Sequence, residues 1–361
     1  MIKTLLKSLS VIGLAFVLHL PVVAEQDVDV VEQNSYEGLC DASAGIAIDD
    51  SHFLVGEDEG SKGECLHLYR KGESKSVTPF CHFNFTKQLR VDPNREIDIE
   101  GAARIGKRIY WITSHGRNKN GKLRPNRYRL FATDIAGTPE DLKLEWVGSY
   151  DGLVEDMLKK AAWSGSAPKE TESIIDLLKN RIRLGNKKVP HLAPKKKGLN
   201  IEGLAVSPDR KGLLVGLRNP LDKKGRAIVL HIKNPEDLVT KPNASAHFGT
   251  PFYLDLDGLG VRSMAKVPGK EEYLIVAGSH GIGGPFRLFK WRGAQEDEPA
   301  LIGKLDSEEG SSPEALVAYK DSQRVQILHD EGRKKSIKGT KCKDEEEQKN
   351  KRFSDRWYEV K

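Results

Sequence analysis

Apolar residues come in short runs bounded by Gly, Asn, Asp or Lys, the pattern of strands rather than helices. The runs recur in a fixed order: a short apolar stretch, a polar turn and a second apolar stretch. Asp98–Ala103 precedes Arg108–Gly116, and Asn200–Ala205 precedes Gly212–Asn219. Looser copies are Ser43–Ala47 before Phe53–Gly60, Gly260–Ala265 before Tyr273–Gly281, and Pro313–Val317 before Val325–Gly332. A third run follows each copy, at Leu66–Arg70, Tyr128–Thr133, Ala227–Ile232, Phe286–Trp291 and Arg356–Val360. A fourth is expected at Val77–Phe83, Leu142–Tyr150, Phe248–Leu256 and Pro299–Leu305. The distances Glu100 to His115, Glu202 to Arg218 and Glu314 to His329 are 15, 16 and 15 residues, which argues for a common unit.

Four antiparallel strands repeated about an axis describe a β-propeller, an all-β fold, here with about five blades. At about 40–50 residues per blade the length also accommodates six or seven. A β-sandwich with chance internal similarity is the competing architecture. The last copy lacks a fourth strand, and Asp27–Glu32 alternates without a local partner, so the N-terminal strand is expected to complete the last blade and remove two open edges. Helical spacing interrupts the pattern once, at Leu153, Met157, Ala161, Ile174, Leu177, Leu178 and Ile182, and a Pro/Lys-rich stretch continues to Lys197. This insertion, about 151–197, is either a cap over the central funnel or a surface elaboration.

The first residues carry a different signal. Lys3 and Lys7 precede the apolar run Val11–Leu20, and Val22, Val23 and Ala24 follow, which reads as a signal peptide, residues 1–24. The run is shorter than the roughly 20 residues of a membrane span. Residues 25–361 then form a single exported propeller domain, periplasmic or secreted, with no membrane span after cleavage and a monomeric state. Removing Lys3 and Lys7 and no acid lowers the net charge from +6 to +4. Nucleic-acid binding is excluded as a function class for such a chain, because acidic runs such as Asp344–Glu347 interrupt its basic ones. The Lys-rich stretches at 187–197 and 333–343 read as solvated loops.

Export makes the four cysteines an even, disulfide-competent set. In a hairpin about Lys71–Ser76, Cys65 and Cys81 fall opposite each other, leaving Cys40 to pair with Cys342. Unpaired buried thiols are the alternative. No CxxC spacing supports a zinc or redox site.

In a propeller the starts of the innermost strands and the ends of the second strands share one face. That rule brings together Glu100, Glu202, Arg262 and Glu314 with His115, Arg117, Arg218, Asn219, His280, His329 and Asp330. Asp41, Glu57, Asp58 and Glu59 are the first-blade counterparts. Such a mixed-charge mouth suits a small anionic ligand or a partner protein. The plainer alternative is stitching between blades: Glu bonded to backbone amides, Ser-His-Gly as turn chemistry, and Arg218 paired internally with Glu202 or Glu314.

The motifs Asp98-Ile99-Glu100-Gly101, Tyr110–Arg117, Asn200–Ala205 and Val215–Pro220 resemble a bacterial exported family known as a domain of unknown function, DUF3616, over roughly residues 40–332. The Glu-Gly-Leu strand start is more loosely similar to phytase-like esterases and gluconolactonase-type propellers. The latter resemblance implies a metal role for Glu100 or Glu202. An alternative function is therefore a divalent-metal-dependent hydrolase of an ester, lactone or phosphoester. Its Ca²⁺ would sit at Glu100, Glu202 or Glu314, with His115 or His280 as general base and Arg218 holding an anionic group.

Overall fold

Twenty short strands form five four-stranded antiparallel sheets in a computed structural model of the chain, describing residues 27–57, 65–79, 81–281, 283–336 and 339–360. The expected signal peptide, Asp58 and Glu59 lie outside these residues. Blade one contains β2 (Ala42–Ala47), β3 (His52–Glu57), β4 (Cys65–Arg70) and β5 (Phe83–Asn84). Blade two contains β6 (Ile99–Ile105), β7 (Arg108–Thr113), β8 (Leu130–Ala136) and β9 (Lys143–Tyr150). Blade three contains β10 (Asn200–Val206), β11 (Leu213–Asn219), β12 (Ala227–Ile232) and β13 (Phe252–Leu254). Blade four contains β14 (Gly260–Lys266), β15 (Tyr273–Gly278), β16 (Phe286–Trp291) and β17 (Ala300–Leu305). Blade five contains β18 (Ser312–Ala318), β19 (Arg324–Asp330), β20 (Arg352–Glu359) and, outermost, β1 (Val30–Glu37). The five-bladed propeller expected from the repeats is what the chain forms.

The five innermost strands contact one another in cyclic order, β2, β6, β10, β14, β18 and back to β2. Close approach explains the Gly that follows Glu in two of them. A Cβ on Gly203 would stand 2.6 Å from Val261 Cγ1, and one on Gly101 2.9 Å from Leu204 Cβ. The cores lie between neighbouring sheets; one of them buries Leu204, Leu213, Val215, Ile228 and Leu230 against Tyr110, Ile112 and Leu130.

Ring closure follows the expected route with a shifted span. The N-terminal strand runs Val30–Glu37 rather than Asp27–Glu32, pairing from Val30↔Tyr358 to Glu37↔Arg352. The shift has a physical cause. Asp355, buried in β20, accepts Asn34 N (2.8 Å), Tyr36 Oη (2.8 Å), Gln326 Nε2 (2.6 Å) and Trp357 Nε1 (3.1 Å), so β1 is seated by residues beyond the expected end. The Cys40–Cys342 disulfide, with Cα atoms 5.8 Å apart, ties the same junction.

The second disulfide, Cys65–Cys81, also forms, but not by the expected register. Tyr69 bridges Ser76, whereas Leu66 pairs with Phe83 and Cys65 with Asn84. The chain between them loops out, with Cys81 at φ 59°, so the fourth strand is only Phe83–Asn84 and not Val77–Phe83.

The insertion is built into the fold. Helices Leu153–Met157 and Pro168–Ile182 bury Leu153, Val154, Met157, Ile174, Leu178 and Ile182 in the hydrophobic cluster shared by blades two and three. Asp156 anchors its start, accepting Ala246 N (2.6 Å), Lys159 Nζ (2.8 Å) and the Tyr150 hydroxyl. Among the described residues no helix is long and apolar enough to cross a membrane.

Gly203→Val is expected to destabilise the ring by about 1–3 kcal/mol, because Val261 has no room to retreat between blades. Urea unfolding of the two proteins checks this; equal midpoints would show that the innermost strands are not closely packed.

Candidate functional site

The pairing of each innermost strand with its second strand slips by one residue at the same place in every blade. The slips fall at Ser43, Glu100, Glu202, Arg262 and Glu314. A β-bulge leaves one residue unpaired and re-aims its side chain. Four of these five are the strand-start residues expected from the repeat. In blade one the equivalent strand-start residue is Ser43 rather than Asp41.

The re-aimed side chains meet across blades. Arg262 Nη1 lies 3.1 Å from Glu202 Oε2 on one side, and its Nη2 contacts Glu314 on the other, so one guanidinium spans three consecutive blades. Glu202 is further committed: its Oε1 accepts Arg218 Nη1 (2.7 Å) and Asn200 Nδ2 (2.6 Å). Arg218 donates its remaining groups to Ser279 O (3.2 Å) and Gly281 O (2.7 Å) in the next blade. Glu202 and Arg262 are 2% and 4% exposed. Burial pulls the Arg262 guanidinium down to about 10, with Arg218 adding to the effect and Glu202, Glu100 and Asp330 opposing it. Arg262 therefore stays charged at neutral pH.

The other candidates divide by environment. Arg117 is buried and donates to four backbone carbonyls, Gly121, Ile182, Arg183 and Asn186, clamping the end of the long insertion helix. Asn219 Nδ2 donates to Pro194 O and Lys196 O (3.0 Å each), pinning the returning strap of the insertion. Asp330 Oδ1 caps its own turn through Gly332 N (2.8 Å). These three hold structure together.

His115, at φ 50°, is 2% exposed; its Nδ1 donates to Thr113 O (2.8 Å) and its ring stacks on Tyr128. That bond fixes the neutral tautomer, and burial lowers the ring to about 4. His329, fully buried, has Nδ1 3.0 Å from Ser311 Oγ, and burial followed by the Arg356 charge lowers it to about 3. Both rings are neutral at physiological pH. His280 is exposed.

Two of the three expected metal-binding carboxylates are already committed. Glu202 and Glu314 are held by arginines, and among the described residues no group of three His, Cys, Asp or Glu is arranged to hold an ion.

Sequence reasoning missed two further clusters. Asp98 pairs with Arg127 at 2.7 Å, and burial raises its carboxyl above the usual range despite that cation. Glu331 accepts Ser354 Oγ (2.8 Å) and Lys334 Nζ (3.0 Å) beside Ser311 and His329. It also missed an open cavity of about 520 Å³ at the opposite ends of the innermost strands, lined by residues of all five blades. The available signal was the small or apolar strand ends Ala47, Ile105, Val206, Ala265 and Ala318, each close to a charged turn residue.

The family described as "Protein of unknown function (DUF3616)" matches residues 41–133 and 151–325, a span that includes every bulge residue. The chain belongs to the DUF3616 family. No curated protein matches it. Among solved structures, a putative oxidoreductase (glucose dehydrogenase) from Thermus thermophilus is 13% identical, covering 90% of this chain and 100% of that one, with a TM-score of 0.42. The PQQ-bound aldose sugar dehydrogenase of Streptomyces coelicolor is 11% identical, covering 92% and 98%, also at 0.42. These likenesses are of fold alone, and nothing about the chemistry of the DUF3616 chain follows from them.

Two stability predictions come from this site. Arg262→Met leaves Glu314 without its buried cation and Glu202 with Arg218 alone, and is expected to cost about 3–5 kcal/mol at pH 7.5. A buried carboxylate without a cation favours its protonated form, so the folded state takes up protons as pH falls and the deficit shrinks toward pH 4.5. A deficit independent of pH would show that Glu314 has another cation. Conversely, His329 has a depressed folded value, so its contribution is present above about pH 6.5 and is lost as pH falls toward about 3. In denaturant titrations His329→Asn should flatten the acid loss over that window; an unchanged slope would mean that the ring is not the buried neutral group described.

Proposed function

We propose that this DUF3616 protein is an exported binding protein that holds a small ligand in its central channel without transforming it. The observation carrying this reading is the division of the channel into two unlike ends. At the mixed-charge end, arginines and carboxylates neutralise one another and His115 and His329 are buried in neutral form, an arrangement suited to locking blades three, four and five together. At the other end the channel widens into the cavity of about 520 Å³, within the usual range for a small-molecule site. Export is supported by the Lys3/Lys7 and Val11–Leu20 pattern and by two disulfides that draw in all four cysteines.

The hydrolase reading has less support. It needs a metal cage, for which Glu202 and Glu314 are already paired with arginines, and of its two expected bases His115 holds its proton only below about pH 4, while His280 is exposed. A partner protein docked through the insertion is also less favoured, because the insertion buries its apolar face in the chain's own core.

The mature protein, recovered from the exported fraction and starting at residue 25, is expected to show no turnover on a panel of esters, lactones and phosphoesters, with or without Ca²⁺. Its melting temperature should rise with members of a small-molecule library. Glu314→Gln should lower that temperature without changing the ligand-induced rise. Turnover that disappears in Arg218→Ala while the protein remains folded would overturn the reading.

A further inference from the structure

The cavity has a chemical signature of its own. Its wall is built from the ends of the innermost strands, with Ile46 and Ile48 from blade one, Ile105 from blade two, Val206 from blade three, Ala265 from blade four and Ala318 from blade five. All six are only partly buried, so the surface they present inside the cavity is apolar and open.

The rim is cationic and incompletely compensated. Arg104, Arg210, Lys266 and Lys320 line it together with Asp49 and Asp50. Asp49 is already occupied, accepting Ser51 N and His52 N (2.7 Å each) and the His52 ring (3.0 Å). Arg210 and Lys266 share the carboxylate of Glu271, at 2.8 and 2.6 Å. The remaining two form no ion pair with a carboxylate among the described residues, Asp49 acting on Arg104 only through space. Arg104 is half-buried and donates only to the carbonyls of Gly106 and Ile48, both at 2.8 Å. Lys320 is exposed and makes no ion pair among the described residues. A guanidinium satisfied by carbonyls keeps its full positive charge, and beside an apolar wall that charge favours an anion.

We infer that the cavity takes a molecule with an apolar body and one anionic head, a medium-chain carboxylate in its simplest form, whose body lies along the ring of strand ends and whose head meets Arg104 and Lys320. The inference rests on the binding reading above and adds the ligand class. A purely polar anion would leave the apolar wall wet, and a neutral hydrocarbon would gain nothing from the two cations.

Calorimetric titration of the full mature chain with decanoate and with decanol tests it. Decanoate is expected to bind at least tenfold more tightly than decanol. Arg104→Gln and Lys320→Gln should each weaken decanoate several-fold, with a smaller salt dependence, and leave decanol unchanged. Ala265→Trp and, independently, Ala318→Trp should fill the cavity and abolish both, with unaltered circular dichroism as the control for folding. If decanol binds as tightly as decanoate and both tryptophans block it, the ligand class is wrong and the cavity reading stands. If neither probe binds, or the tryptophan variants bind as well as the parent, both fail.

Discussion

One guanidinium decides much of this architecture. Arg262 sits on the axis side of blade four and reaches carboxylates of the blades on either side, Glu202 and Glu314. Charges that deeply buried cost several kcal/mol each to desolvate, and they are tolerated only when geometry and hydrogen bonds are nearly complete. The bulges at Glu202, Arg262 and Glu314 bring these charges together across blades three, four and five. The glycines after Glu100 and Glu202 let the innermost strands approach closely. Ion pairing, bulges and glycines are thus a single device. Removing any part leaves the others unfavourable.

The rest of the molecule extends the same logic outward. The ring must be closed where the chain begins and ends, and there β1 is fixed to β20 by Asp355, with the Cys40–Cys342 bond beside it. The insertion between blades two and three is held at three points: by Asp156 at its start, by Arg117 at the end of its long helix and by Asn219 along its return. Arg117 and Asn219 thus spend their donors on the insertion's backbone. With one end of the channel filled in this way, the accessible volume is left at the other, where small residues at the strand ends make room.

Much of this was legible in the sequence. The repeated spacing from Glu100, Glu202 and Glu314 to the ends of their partner strands indicated five blades and identified four of the five bulge residues. The even cysteine count indicated two disulfides, and the pairing Cys65–Cys81 with Cys40–Cys342 holds although the hairpin register behind it does not. What failed to show has physical reasons. Ser43 carries no charge, so Asp41 and Glu57 looked like the better counterparts although the register change falls between Ala42 and Ala44. Cys81 lies on a looped-out segment, and alternation alone cannot register a bulge. Arg117 and Asn219 have the residue types of a binding site, but their partners are backbone carbonyls 65 to 69 and 23 to 25 residues away in the insertion, which no motif encodes. The open cavity is lined by alanine, valine and isoleucine, which in a sequence are indistinguishable from core.

The central claim is that the charged end of the channel is scaffold and the apolar end is the site. A crystallographic map of the mature protein grown with decanoate addresses it directly. Arg262 should lie between Glu202 and Glu314 with no ion among them, and ligand density should lie against Arg104, Val206 and Ala265. Density for an ion or ligand among Glu100, Glu202 and Glu314, with the far cavity filled only by water, would contradict it.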